Sequence, residues 1–235
     1  MRYQLSTIPA QEEHVALFLT SLTQNNKSAD VLESTFCAIQ HFHKINLCNH
    51  PFRTDPCEMI VEAAKRCSKP RKKKKEPLAV HHLQQIYEKV GKELCSLLDL
   101  RTFTTMVVSF AGFLRYNEIA DLRRSDVEFK GTYMKLFIEK SKTDIYRDGQ
   151  WLLIAKLDST ICPVKILTLY LEKTEIGDTS EEYIFRAMTW FKSTAKHRLR
   201  AANKKMAYST ARSNMLNLAQ KIGLDVTKFE LHSLR

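Results

Sequence analysis

Nine residues divide this chain more firmly than any other feature of it. Lys69-Pro70-Arg71-Lys72-Lys73-Lys74-Lys75-Glu76-Pro77 places two prolines around a run of like charges. Proline fixes φ and removes an N–H, and neighbouring ammonium groups repel, so the segment should be extended and exposed. A chain jointed in this way is expected to fold as two parts, residues 1–68 and 78–235, with 69–77 as a basic linker.

The front part reads as all helix. Residues 9–24 open on Pro9 and set Val15, Phe18, Leu19 and Leu22 at helical spacing, and Asn25-Asn26-Lys27-Ser28 ends that pattern. A second helix runs to about Asn46 with Leu32, Phe36, Ile39 and Phe42 on one stripe, and a short third one runs from about Asp55 to Cys67. Beyond Pro77, helices are predicted near 79–95 and 100–115, with a brief one through Glu118 to Leu122. The period then changes: 126–129, 133–139 and 151–154 alternate or run apolar at strand length, joined by a turn at Gly131 and a polar loop over 140–149. Pro163 starts a helix to about Lys173, and Ser209 should cap another, closed by Gly223. The expected fold is mainly α with a small antiparallel β-sheet, preceded by a small all-α domain.

At 235 residues, 44% of them hydrophobic, the chain can bury real cores, which excludes wholesale disorder. No apolar run approaches membrane-spanning length and the start has no signal-peptide core, so no membrane is expected and the chain reads as intracellular. The net charge of +11 is uneven: residues 1–68 are near neutral, and no acidic residue falls between Glu182 and Asp225. That stretch carries Arg186, Lys192, Lys196, Arg198, Arg200, Lys204, Lys205, Arg212 and Lys221. A polyanionic partner fits this bias, since each phosphate contact releases counterions, and a solvated basic face is the alternative. The lysine-rich run also suits nuclear import or a linker lying along nucleic acid. Six cysteines without a Cys-x-x-Cys pair fit reduced thiols. His41, His43, Cys48, His50 and Cys57 crowd together, but they match no zinc-finger spacing and several face a helix core, so no metal is expected. Aromatic residues look scattered within helices and form no stacking platform.

Two short segments carry the chemistry. In Gly112-Phe113-Leu114-Arg115-Tyr116-Asn117-Glu118-Ile119, Arg115 and Glu118 are three apart; in Leu231-His232-Ser233-Leu234-Arg235, His232 and Arg235 are. Helical positions three apart share a face. Two guanidinium forks and a histidine can grip one phosphodiester, because arginine meets phosphate oxygens bidentately and never loses its charge. Lys142, in the loop between two strands, can protonate a leaving sugar oxygen. Each pair alone is commonplace, an Arg-x-x-Glu being most often a surface ion pair.

Together, in this order, they resemble the tyrosine recombinase (phage integrase-like) family over nearly the whole chain. Gly112 to Leu122 resembles the first arginine box, Lys140-Ser141-Lys142-Thr143 the catalytic-lysine hairpin with Lys142 the better match and Lys140 the fallback, and Leu231 to Arg235 the His-x-x-Arg box. The lysine-rich joint and the Thr-Lys-Phe-Glu-Leu-His approach are closest to eukaryotic mobile-element members. The resemblance implies a helical core-binding domain over 1–68 lacking its first helix, and an α+β catalytic domain over 78–235, incomplete at its C-terminus. It implies Arg115, Glu118, Lys142, His232 and Arg235 as catalytic residues, and double-stranded DNA as partner. Arg71, Lys72, Lys73, Lys74, Lys192, Lys196, Arg198, Arg200, Lys204, Lys205 and Arg212 become candidate DNA contacts. The activity implied is DNA strand cleavage and rejoining through a 3′-phosphotyrosyl link, in the nucleus, with no cofactor and with tetramers on paired sites. Family members carry a tyrosine nucleophile after the second arginine, a place that Tyr116, Tyr183 and Tyr208 do not match. A DNA-binding remnant without catalysis is therefore the alternative.

Overall fold

The computed structural model describes residues 8–46, 55–67, 74–90 and 96–235, apart from 143, 145, 147, 179 and 202. The chain divides into two compact units, 1–73 and 74–235.

Among the described residues the first unit holds three helices: α1 (Glu12–Gln24), α2 (Ala29–Ile45) and α3 (Asp55–Cys67). Ser28 starts α2 in the expected way, from extended backbone with its hydroxyl accepting the Val31 N–H at 3.3 Å. The apolar stripes meet in one cluster of Val15, Leu19, Phe36, Cys57 and Val61 and a second of Ala29, Leu32 and Ala64. His43 serves this packing: its Nε2 accepts the Ala10 N–H at 3.0 Å and its Nδ1 bonds the Ile39 carbonyl at 2.8 Å. The Cys57 thiol points at the Glu12 carbonyl, 3.8 Å away. Two members of the histidine–cysteine crowd are thus spent on structure, while Cys48 and His50 lie outside the described residues. Among the described residues no group of three or more His, Cys, Asp or Glu is placed to hold a metal.

The second unit is built on one central helix. Its elements are α4 (Val80–Val90), α5 (Leu97–Gly112), α6 (Tyr116–Ala120), β1 (Val127–Phe129), β2 (Tyr133–Ile138), β3 (Gln150–Ala155), α7 (Pro163–Thr174), β4 (Met188–Phe191), β5 (Lys196–Leu199) and α8 (Tyr208–Lys221), with short 3₁₀ turns at Arg124–Asp126, Val226–Lys228 and Leu231–Leu234. α5 is buried on every side from Leu100 to Ser109, its polar residues included. Its threonines are satisfied locally: Thr102, Thr104 and Thr105 each donate to the carbonyl four residues back, at 2.7, 2.7 and 2.8 Å. Arg101, fully buried, donates to the Arg186 carbonyl at 2.7 Å.

β1, β2 and β3 form the expected antiparallel meander, with Leu136 opposite both Val127 and Leu152. Met134, Leu136 and Ile138 face the core and their neighbours are half-buried, as a two-residue period demands. β4 and β5 pair as a separate hairpin that the sequence reading did not contain. α8 begins at Tyr208, with Ala207 in the cap position and Ser209 already inside the helix. Among the described residues, no helix is long and apolar enough to cross a membrane.

The end of the basic run belongs to this second unit. Lys74 to Pro77 are exposed and lack regular structure, as expected. Their backbone is nonetheless strapped down: the Glu76 N–H donates to the Lys228 carbonyl at 2.7 Å and the Leu78 N–H to the Ser233 carbonyl at 2.6 Å. Lys75 Nζ donates to the Thr227 carbonyl at 2.8 Å, and Lys228 pairs with Glu76 at 3.0 Å.

Candidate functional site

α5 ends abruptly. Phe113 takes left-handed backbone (φ 49°), and the Leu114 N–H closes back on the Ser109 carbonyl at 3.0 Å. That turn throws Arg115 into extended backbone (φ −74°, ψ 156°), so Arg115 caps α6 instead of riding on it. Glu118, in the first turn of α6, reaches back with both oxygens. Oε2 accepts the Arg115 N–H at 2.7 Å and Oε1 accepts Arg115 Nη1 at 2.9 Å. The three-residue spacing brings the pair together through a helix cap, where the sequence suggested a shared face. Gly112 permits the approach of β3, since a Cβ there would lie 2.7 Å from the Leu152 side chain.

A third group completes the anchor. The Ser141 hydroxyl donates to Glu118 Oε1 at 3.0 Å and accepts from Arg115 Nη1 at 3.2 Å. Burial pushes the Glu118 carboxyl up, but the hydrogen bonds from the Arg115 N–H, its guanidinium and Ser141 outweigh it and hold the group below the usual carboxylate range. Ser141 had no role in the sequence reading. Its only signal was a small hydroxyl between two lysines after an alternating strand. Through it the loop carrying Lys142 is docked at Arg115. Lys142 itself is exposed, whereas Lys140 pairs with Glu139 at 3.1 Å.

The second box is a 3₁₀ turn, in which residues three apart nearly eclipse. Leu231, Ser233 and Leu234 are buried; His232 and Arg235 are exposed. Glu230 fixes the approach: its carboxylate takes Arg212 bidentately at 2.6 and 2.8 Å, and its N–H donates to the Ser233 hydroxyl at 3.0 Å. Leu231 and Leu234 belong to the same buried core as Met206 and Met215. The Met206 carbonyl in turn accepts the hydroxyl of Tyr116, the residue after Arg115. Both arginine segments are therefore tied to the one core that contains Met206. Burial also pushes the Tyr116 phenol up, above its ordinary value.

The acid-free stretch separates into two kinds of cation. Arg186 pairs with Glu182 at 3.4 Å, Lys221 with Asp99 at 3.3 Å, Arg212 with Glu230 and Lys205 with Asp121. Among the described residues, Lys192, Lys196, Arg198, Arg200 and Lys204 have no acidic partner. Lys74 is exposed, while Arg71, Lys72 and Lys73 lie outside the described residues.

No protein-family model matches the chain, and no curated protein matches it by sequence. Solved structures match it in shape. One is the XerH site-specific recombinase bound to palindromic difH substrate in a post-cleavage complex, with TM-score 0.61 and 14% identity over 95% of this chain and 59% of that one. The Tn1549 transposon integrase in complex with circular-intermediate DNA gives TM-score 0.54 and 9% identity over 96% of this chain and 70% of that one. A lambda integrase dimer bound to a COC′ core site gives TM-score 0.50 and 18% identity over 95% and 70%. The fold is that of the tyrosine recombinases. The chain spans about three fifths of the XerH recombinase it matches. Within this fold the Arg115 cap, the Ser141–Lys142 loop and the His232–Arg235 turn all belong to the unit built on α5.

Proposed function

We propose that this chain is a DNA-binding protein of the tyrosine recombinase kind, from a mobile element of eukaryotic type, acting in the nucleus. Its site handles one phosphodiester of duplex DNA for strand cleavage and rejoining. The observation that carries the proposal is the anchoring of Arg115 by Glu118 and by Ser141 of the Lys142 loop. A guanidinium held at that many points is set for a bidentate grip on phosphate oxygens.

In this reading Arg115 and Arg235 donate to the two non-bridging oxygens and stabilise the charge that builds on five-coordinate phosphorus. A tyrosine oxygen forms a bond to phosphorus on the 3′ side as the bond to the 5′ oxygen breaks. Lys142 gives that leaving oxygen its proton, and His232 takes the proton that the attacking tyrosine loses. Glu118 orients Arg115. The phosphotyrosyl link conserves the bond energy, so rejoining is the same step reversed with a different 5′ hydroxyl. Lys74, Lys192, Lys196, Arg198, Arg200 and Lys204 contact the backbone, with Arg71, Lys72 and Lys73 of the linker. Lys205 and Arg212 act mainly by holding their segments in place. Residues 1–68 clasp the duplex as a core-binding domain, and paired sites are filled by a tetramer.

One observation favours a second reading, DNA binding without cleavage. Tyr116, the tyrosine beside Arg115, spends its hydroxyl on Met206, and burial makes it harder to ionise. It is unsuited to attack.

Two measurements separate these readings. Anisotropy titrations of a labelled duplex should show steeply salt-dependent binding, weakened by Arg115→Ala. A pool of nicked suicide duplexes should give an SDS-resistant adduct with a version of the chain extended through a tyrosine downstream of Arg235, and none with the Arg115→Ala form of that version. Binding without any adduct, insensitive to loss of Lys142 or His232, supports the second reading. Absence of binding at low salt removes both.

A further inference from the structure

The β4–β5 hairpin is the place where unpaired cations and exposed rings coincide. Trp190 and Phe191 are 50% and 41% exposed at the end of β4. Both are large apolar groups on a two-stranded ribbon, where burial would normally be expected. The pairing puts Trp190 opposite His197 and Phe191 opposite Lys196. Alternation then assigns the faces. Met188, Trp190, His197 and Leu199 share the face that Leu199 seats against the core. Thr189, Phe191, Lys196 and Arg198 share the opposite face, and all four are exposed.

On that outer face the Arg198 guanidinium sits over the Phe191 ring at 5.3 Å, and on the other the Trp190 ring lies 4.8 Å from that of His197. The ribbon is held at its base: the Arg200 N–H donates to the Ala187 carbonyl and the Ala187 N–H to the Lys204 carbonyl, both at 2.8 Å. Lys192, Lys196, Arg198 and Arg200 therefore project from a fixed scaffold, and among the described residues no acid answers them. Elsewhere in the same stretch Arg186, Lys205, Arg212 and Lys221 are neutralised from within the chain. The charge left over lies on the hairpin and at Lys204, whose carbonyl holds the hairpin's base.

We propose that this hairpin is a nucleic-acid contact in which the four cations take phosphates and Phe191 stacks on a DNA base exposed at an unstacked step. The proposal rests on the DNA-binding reading above and adds a preference to it. Lysine and arginine alone would serve any phosphate backbone and carry no selectivity. A phenyl ring gains little from an intact duplex edge, but it gains a π-face wherever a base step is open. A strand that has just been cleaved presents such a step at its nick.

The experiment compares an intact duplex with the same duplex carrying a central run of mismatches, using Trp190 as reporter. Trp151→Phe leaves Trp190 as the single tryptophan, since the chain has two. The mismatched duplex should bind more tightly and quench Trp190 emission. Phe191→Ala should remove that preference, by roughly tenfold, while leaving intact-duplex affinity nearly unchanged. Replacing Lys192, Lys196, Arg198 and Arg200 together by alanine should weaken both and lower the salt slope by about 0.9 per lost contact. None of the four makes an ion pair that the fold needs, so an unchanged melting temperature verifies the variant. Duplex binding that is indifferent to Phe191 and to the four cations overturns this proposal and leaves the DNA-binding reading standing. Equal competition by polyglutamate overturns it in favour of an acidic protein partner. No DNA binding by the parent chain overturns both.

Discussion

Arg115 and Arg235 are the two guanidinium groups proposed to share one phosphate, and the fold prepares them differently. Arg115 has its N–H and its Nη1 spent on Glu118, with Ser141 bonded to both partners, and its side chain keeps 24% of its exposure. Arg235 closes an exposed turn whose buried leucines, not its cation, are fixed. One arginine gives up part of its charge to a carboxylate and gains a set geometry. The other keeps its full charge and takes its geometry from the backbone beneath it. The proposed phosphate grip would use both properties, divided between two segments tied to one core.

The largest test of that division is Glu118→Ala. It strips the partner from a half-buried N–H, a half-buried guanidinium and a hydroxyl at once, and should cost about 2–3 kcal/mol. Urea denaturation with an unchanged m-value measures it. A loss below roughly 0.5 kcal/mol, the scale of an ordinary surface change, would mean Arg115 is no better held than Arg235.

Acid titration probes the same carboxylate without mutation. Glu118 is depressed in the folded state, so its contribution is complete above its unfolded value, about 4.3, and is lost as pH falls through the lower folded one. Stability of the parent should therefore fall more steeply below about pH 4 than that of Glu118→Gln. Parallel curves would remove the carboxylate from the account. Ser141→Ala is smaller, about 1 kcal/mol, because Glu118 keeps its two bonds to Arg115. Its sharper readout is the Lys142 loop, whose amides should exchange faster with solvent once the tie to Arg115 is gone.

These differences track what the sequence could disclose. The helical span of α5 and the alternation of β2 are written as periodic patterns, and both were legible, whereas the burial of α5 on its polar side, at Arg101, Thr102, Thr104 and Thr105, was not. So was the spacing of Arg115 and Glu118. The cap geometry was hidden, because it depends on Phe113, a bulky residue, taking left-handed backbone that a reader would assign to glycine. Ser141 was hidden because its bonds span 23 and 26 residues. The β4–β5 hairpin was hidden because its strands are four residues long and no residue of either is fully buried, leaving no buried stripe to count. Paired and unpaired cations were indistinguishable for the same reason: the acids that neutralise Lys205 and Lys221 lie 84 and 122 residues away.

The smallest stability effect carries the most information about function. Arg235→Ala removes an exposed cation with no acidic partner among the described residues, so its unfolding free energy should stay within about 0.5 kcal/mol of the parent. Its duplex affinity should nonetheless drop, with the salt slope falling by about 0.9, one phosphate contact's worth. Arg115→Ala should lower both quantities, because it also orphans the Glu118 carboxylate. If Arg235→Ala instead destabilises the chain as Arg115→Ala does, the second arginine is a structural residue of the turn. The phosphate would then be gripped from one side only, too little to hold a five-coordinate phosphorus in line for transfer.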